Sequence, residues 1–467
     1  MKKGQLLLIS GVVFLSFGVL AQGPALPGED ARKGDVLFVQ KCAVCHGESG
    51  KGDGPAQSFL FPKPRDLTAG KFKIRSTPSG SLPTDQDLFR TITNGIAGTS
   101  MPSWEAIPEK ERWALVRYIQ TFDESFKEQP PRPISIGSPP PRTPQLLARG
   151  KQLYQDAGCF DCHGTTGKGD GPSARNLKDD WGHPIVPYDF TKPGKYKGGS
   201  SIRDIYRTFA TGMAGTPMPS YVDSLAEDER WALASYVESL SPKLVGPMPR
   251  EGATIVSKFI KGDLAGPDPL NPVWKMAPAV DILLRPLWFK EGYVDRVRMR
   301  SVHNGKEIAF LLEWEDPTRN GDILRTQDFR DAVALQFSIA PVQLHGAGRH
   351  PEPPYLMGDA HAPVNIWQWK ADREGNGRGS VENLAAAGFG TLTTQLSQDV
   401  KGKGIWREGK WRVALSRAMA SGGDAVELAP GKVIPVAFAA WNGAISQRNG
   451  EKSVSTWSFL KIERPRR

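Results

Sequence analysis

A chain of 467 residues has room for about three domains at the usual 100 to 200 residues each. Its 39% hydrophobic and 24% charged residues let each domain bury a core, while 39 prolines and 50 glycines point to many turns and real linkers rather than long helices throughout. The net charge of +10 reads as surface charge that steers an acidic partner, and no concentrated basic run marks a nucleic-acid site.

The chain opens on "MKKGQLLLISGVVFLSFGVLAQG": two lysines, an apolar run from Leu6 to Leu20, and the small-residue site Val19-Leu20-Ala21. This is the pattern of a secretory signal over residues 1–21, cleaved after Ala21. The alternative is a retained anchor, but fifteen apolar residues are short for a span of about 20. No later segment is apolar enough to cross a membrane, so a soluble protein exported to the periplasm is expected.

Four cysteines follow: Cys42, Cys45, Cys159 and Cys162. In an oxidising compartment two disulfides are the default, yet each pair is followed at once by a histidine. "KCAVCHGESGKGDGP" (41–55) and "GCFDCHGTTGKGDGP" (158–172) align at an offset of 117, as do "DLFRTITNGIAGTSMPSW" (87–104) and "DIYRTFATGMAGTPMPSY" (204–221). This is an internal duplication of a unit of about 100 residues. In each copy Cys-x-x-Cys-His reads as covalent attachment of a c-type haem: both thiols add to the vinyl groups, and His46 or His163 meets the iron. A half zinc site would need further Cys or His nearby, and none is spaced for it.

Met101 and Met218 each lie 55 residues after their histidine, in a "GTxMPS" loop whose glycine and proline fix the backbone so that the thioether faces the ring. Turn formers, not an apolar period, flank both methionines. Met213 is a rival in the second copy, where the first has Ile96. His/Met ligation raises the haem potential and fills both axial positions, so these two haems carry electrons rather than do chemistry.

The surroundings fit small all-α domains. "ARKGDVLFVQ" leads helically into the first motif, and "EKERWALVRYIQTF" closes the copy with Trp113, Leu115, Val116 and Ile119 on an apolar face. Residues 29–125 and 146–241 each resemble class I cytochrome c, which sets domains at 29–127 and 146–242. The resemblance implies that Pro55 and Pro172, in the "GDGP" loops, lie near the histidines and fix their tautomers through a backbone carbonyl. Between the copies, "QPPRPISIGSPPPRTP" within 128–145 reads as an extended, semi-rigid spacer, whose domains either pack as a pair or swing slightly.

A linker over 243–275 separates these from a third domain at 276–465, whose texture is β. "VDRVRMRSVHNGKEIAFLLEWED" has two runs around Asn304-Gly305, a hairpin signal. Further strands are expected at "AVALQFSI", "VNIWQWKAD", "KWRVALSRAM", "VIPVAFAAWNG" and "SVSTWSFLKI". Strands without intervening helices imply an all-β antiparallel sandwich. The polar, glycine-rich stretch 373–410 reads as a long mobile excursion from it.

"PYLMGDAHAPVNIWQWKAD" (354–372) crowds possible ligands in this cysteine-free domain. On the residues alone, Met357 is either a gap-filling side chain or a ligand offered from a loop, with His361 of similar weight. Trp367 and Trp369 share a parity and face one side of a strand. Residues 276–462, through this stretch, "VAFAAWNGA" and "RNGEKSVSTWSFLKI", resemble the haem b-binding domain of ethylbenzene dehydrogenase and its relatives.

In that family the domain is the γ subunit of periplasmic molybdenum enzymes, among them dimethylsulfide dehydrogenase, chlorate and selenate reductases and, more distantly, nitrite oxidoreductase. The resemblance implies a β-sandwich holding one non-covalent haem b between a methionine and a lysine. Met357 matches the methionine, which reduces His361 to a bystander. Lys452 is favoured for the lysine, with Lys432 next and Lys370 third. A lysine binds iron only as the neutral amine, so the chosen residue should be desolvated.

The expectation is therefore an exported electron-transfer subunit with two covalent haems c and one haem b. It has no catalytic site of its own and relays electrons between a molybdopterin catalytic subunit with its iron–sulfur subunit and a cytochrome or membrane acceptor. An independent multihaem carrier is the alternative, and a dihaem peroxidase a third, which would need an open or displaceable axial ligand. Typical γ subunits lack the two c-type domains, and this departure leaves the identity of the partner enzyme open.

Overall fold

The computed structural model describes residues 27–128, 131–192, 196–242, 251–264, 266–339, 355–375, 379–421 and 425–465; the expected leader at 1–21 lies outside them. The N-terminal half is helical. Its first unit comprises α1 (Pro27–Lys41), α2 (Ala43–His46), α3 (Asp85–Asn94), α4 (Glu109–Ile119) and α5 (Ser125–Glu128). The second repeats the plan with α6 (Pro144–Asp156), α7 (Cys159–His163), α8 (Ile202–Thr211) and α9 (Glu227–Leu240). Among the described residues no helix is long and apolar enough to cross a membrane.

Two local signals fix these helices. Thr84 accepts from the Asp87 amide at 3.1 Å and the Asp87 carboxylate accepts from the Thr84 amide at 3.1 Å, a reciprocal cap that starts α3. Ser201 caps α8 from one side, accepting from the Asp204 amide at 3.2 Å. The entry and closing helices of each unit then cross at a glycine. A Cβ on Gly34 would stand 2.2 Å from the Ala114 carbonyl oxygen, and one on Gly150 2.0 Å from that of Ala232. Only glycine lets the backbones of α1 and α4, and of α6 and α9, approach this closely.

The spacer between the units is not free. The Ile134 amide donates to the Ser76 carbonyl at 2.8 Å, and Ile134 and Ile136 pack on the apolar core of the second unit. Arg75, buried in the first unit, donates to the Thr211 carbonyl at 2.6 Å, and the Thr211 hydroxyl returns a bond to the Arg75 carbonyl. The two units pack as a pair.

The C-terminal half is one large sheet of β1 (Thr254–Phe259), β2 (Val280–Leu283), β3 (Arg285–Pro286), β4 (Arg296–His303), β5 (Glu307–Glu315), β6 (Ala332–Ser338), β7 (Val364–Lys370), β8 (Val381–Ala386), β9 (Thr393–Thr394), β10 (Lys401–Arg407), β11 (Lys410–Ala418), β12 (Val433–Trp441), β13 (Ser453–Val454) and β14 (Ser458–Ile462). The main strand order is β10-β11-β5-β4-β1-β14-β12-β6-β7-β8-β9. β4 and β5 form the hairpin around Asn304-Gly305, where the Asn304 side chain accepts from the Lys306 and Glu307 amides. Side chains from β5 and β11 meet those of β6 and β7 in a single core: Phe310 lies edge-on to Trp367 at 5.7 Å and Trp369 to Trp411 at 4.9 Å. Trp367 and Trp369, as their parity requires, are fully buried on this inner face.

Two expectations are corrected. The sheet is mixed rather than strictly antiparallel, because β1 pairs in parallel with both β14 and β4. β1 comes from the stretch expected to be linker, and a parallel insertion has no hairpin turn to announce it. The excursion at 373–410 contains β8, β9 and β10, with β10 paired to β11 along its whole length. Its glycines serve packing: a Cβ on Gly404 would lie 2.1 Å from the Trp369 ring, and one on Gly402 2.2 Å from Val381.

Candidate functional site

Each helical unit encloses a cavity built by its own motif. Cys42, Cys45, His46 and Met101 line the first; Cys159, Cys162, His163 and Met218 line the second. None of the four cysteines is in a disulfide, and burial is the main cause that pushes Cys42 and Cys45 up to about 12 and Cys159 up to about 11. Such thiols stay neutral at ordinary pH, unlike the thiolates of a reactive pair. Among the described residues no group of three or more His, Cys, Asp or Glu side chains is placed to hold a metal ion, so the half zinc site lacks its remaining ligands.

The histidines are held by carbonyls the sequence reading did not find. His46 Nδ1 lies 2.9 Å from the Arg65 carbonyl oxygen and His163 Nδ1 3.2 Å from that of Tyr188. These replace the expected Pro55 and Pro172. The reason is one of chain path: the segments that pass beside the imidazoles lie 19 and 25 residues beyond the histidines. A carbonyl accepting from Nδ1–H fixes the tautomer and leaves Nε2 for a metal. Burial lowers both imidazoles, His163 to about 4, so each is held neutral as a ligand must be.

The methionine loops are built alike. The Ile96 amide donates to the Met101 carbonyl at 3.1 Å and the Met213 amide to the Met218 carbonyl at 3.1 Å. Thr99 and Thr216 bridge within each loop, their hydroxyls donating to the Ile96 and Met213 carbonyls at 2.7 Å. Met218 is thus the counterpart of Met101, and Met213, although it also lines the second cavity, is the counterpart of Ile96.

The two cavities adjoin. Pro62 and Lys73 line both. Arg65 links them further: its carbonyl holds His46, while its guanidinium lies 4.3 Å from the Trp181 ring centre and donates to the Ala214 carbonyl in the second methionine loop at 3.4 Å.

In the sheet domain, Met357 Sδ lies 3.9 Å from Lys452 Nζ. The thioether and the amine therefore face each other, the two donor groups that a methionine–lysine ligand set needs. Burial pushes the half-buried Lys452 amine down to about 8, and its Nζ stands 5.3 Å from the Trp441 ring centre. Met357 packs against an apolar cluster that includes Ala332, Ala334, Val364, Ile366, Ala437 and Trp441, on the face of β6, β7 and β12 opposite Trp367 and Trp369.

The rival residues lie apart from this pair. Lys432 is exposed and bound to Glu427 at 2.7 Å, Lys370 is paired with Glu382, and His361 is exposed on its loop. One neighbour escaped sequence reasoning. Tyr355 belongs to the sheet domain but lines the cavity of the first helical unit, packing edge-on to Trp104 at 5.6 Å. Only the order "YLM", with Met357 singled out, hinted at it.

Three family models match separate parts of the chain. The cbb3-type cytochrome c oxidase subunit III model matches residues 29–119, the cytochrome c model residues 147–241, and the ethylbenzene dehydrogenase model residues 271–395 and 388–453. The first two imply covalent haem c and the third haem b. The chain is 34% identical to the dimethylsulfide dehydrogenase γ subunit of Rhodovulum sulfidophilum, over 42% of this chain and 75% of that one. It is 30% identical to the chlorate reductase γ subunit of Ideonella dechloratans, over 43% of this chain and 82% of that one. Among solved structures, a chain of the Kuenenia stuttgartiensis reducing HAO-like protein complex is 45% identical, with a TM-score of 0.44 over 45% of this chain and 96% of that one.

Proposed function

The chain belongs to the ethylbenzene dehydrogenase γ-type family, with cytochrome c domains ahead of the family's own domain, and from that premise we propose an exported electron-transfer subunit with three haems. His46 with Met101 and His163 with Met218 would hold two haems c, attached through Cys42 and Cys45 and through Cys159 and Cys162. Met357 and Lys452 would hold one haem b. A haem with both axial positions filled exchanges single electrons and leaves no place for substrate.

The protein's own part is to fix each ligand in the required state. The Arg65 and Tyr188 carbonyls hold the two imidazoles in the Nδ1–H tautomer. Burial keeps the Lys452 amine within reach of its neutral form, the only form that donates a lone pair. Pro62 and Lys73 line both cavities, which supports two haems c held side by side, and Tyr355, reaching from the sheet domain into the first cavity, supports a link from there to haem b. The order is then haem b, first haem c, second haem c.

The observation that carries this reading is the 3.9 Å approach of Met357 Sδ to Lys452 Nζ, two residues 95 positions apart in sequence. Named relatives that are γ subunits of a dimethylsulfide dehydrogenase and a chlorate reductase support a molybdopterin catalytic subunit and an iron–sulfur subunit as partners, with a cytochrome or membrane acceptor at the far end. Purification of the native protein, mass spectrometry of what accompanies it, and a pyridine haemochrome assay test the reading. A c-to-b ratio of about two to one and a co-purifying molybdopterin subunit are expected. Haem c alone would remove the role given to Met357 and Lys452; a full haem complement without any partner would favour an independent carrier.

A further inference from the structure

Tyr355 is 3% exposed, lines the cavity of the first cytochrome domain, and has no hydrogen-bond partner for its hydroxyl among the described residues. It belongs to the other domain, and only Leu356 separates it from Met357. Its ring meets Trp104, three residues beyond Met101, edge-on. Leu356 is buried and adopts φ +80°, a left-handed backbone that a branched residue adopts only under strain. The Gln336 side chain of β6 donates to the Leu356 carbonyl and holds it there. This turn sends neighbouring side chains into different sites: Tyr355 and Leu356 into the core of the first cytochrome domain, Met357 onto the outer sheet face beside Lys452.

We propose that Tyr355, Leu356 and Met357 form the electron bridge between haem b and the haem of the first cytochrome domain, with the Tyr355 ring as the contact on the haem c side. The inference rests on the three-haem reading above. In the step one iron passes from ferrous to ferric and the other from ferric to ferrous; no bond forms or breaks and no proton moves. Strain is retained at Leu356 because a relaxed backbone would not direct the iron ligand and the aromatic ring to opposite sides. The competing route runs along the other ligand segment, from Lys452 through Ser453 to Val454, which also enters the first domain's core but offers only an aliphatic side chain there.

The test is flash photoreduction of the full chain by a soluble ruthenium complex, following decay of the haem b band against the rise of the haem c band. Tyr355→Leu keeps apolar volume and removes the ring; Tyr355→Phe keeps the ring and removes the hydroxyl. The proposal expects the leucine variant to transfer about tenfold more slowly, equivalent to about 1.4 kcal/mol of barrier, and the phenylalanine variant to match the parent. Absorption spectra, haem ratio and the rate between the two haems c should be unchanged in both. A parental rate in Tyr355→Leu, or equal slowing in both variants, overturns the bridge. If the leucine variant loses haem, Tyr355→Met gives the same comparison with a flexible side chain. A parent lacking haem b would instead overturn the three-haem reading, which the haemochrome ratio reveals before any rate is measured.

Discussion

The two cytochrome units share one plan and differ in what surrounds them. Both have a glycine at the helix crossing, an Nδ1 bond to a carbonyl, and a methionine loop closed by the same hydrogen bonds. Yet the core of the first unit continues into the sheet domain through Leu287, Tyr355, Leu356 and Val454, whereas the main core of the second contains only residues of its own unit and the preceding spacer. The Phe61 amide even donates to the Leu287 carbonyl at 2.9 Å, and Phe59 stacks on Phe389 at 5.3 Å. Duplication kept the site but not the docking: the core of the first unit joins the sheet domain, which in the proposed order makes it the middle of the chain of haems and the second unit the outer end.

This contrast predicts how the molecule comes apart. The largest effect should follow Trp369→Ala, which empties a fully buried site in the sheet core at a cost of about 3–5 kcal/mol. Thermal unfolding followed separately at the haems should show the first unit and the sheet domain losing stability together and the second unit unmoved. Independent melting of the first unit would break the comparison.

Next in size is a dependence on pH confined to the sheet domain. Burial, and then the nearby Asp316, raise the Asp331 carboxyl to about 6, although Trp411 and the Gly443 and Asn320 amides donate to it. The folded state therefore holds a proton that the unfolded state releases near pH 4. Stability from this group is present below about pH 4, is lost as pH rises to about 6, and amounts to on the order of 2–3 kcal/mol. Asp331→Asn should flatten that slope in denaturant titrations of the sheet domain and leave the second cytochrome unit unchanged.

Smaller again is Gly150→Ala, which drives a methyl into the Ala232 carbonyl and should destabilise the second unit alone by about 1–3 kcal/mol. Gly34→Ala sharpens the point: the same contact is lost, but the damage should spread to the sheet domain. The smallest effect belongs to Lys432→Ala, an exposed ion pair with Glu427 worth about 0–1 kcal/mol, with no change in haem content.

Sequence carried the parts of this architecture that are local. The attachment motifs, the methionine loops and the Asn304-Gly305 hairpin each need particular residues at fixed short spacing, and the cavities and hairpin are built from them. What it did not carry is contact over long separation. The Arg65 and Tyr188 carbonyls belong to segments with no motif, since any residue supplies a carbonyl. β1 enters in parallel with no turn to mark it, and Gly402 and Gly404 read as mobility because the side chains they make room for, Val381 and Trp369, lie more than twenty residues away. Tyr355 was passed over for the same reason, as its partner Trp104 sits in another domain.

The measurement that bears most directly on the central claim is the haem complement of the full chain with Met357→Ala and Lys452→Ala. The account predicts that the parent binds haem c and haem b at about two to one, and that each variant keeps both haems c while losing haem b or its low-spin spectrum. Unaltered haem b in both variants, or a parent with haem c only, would contradict it.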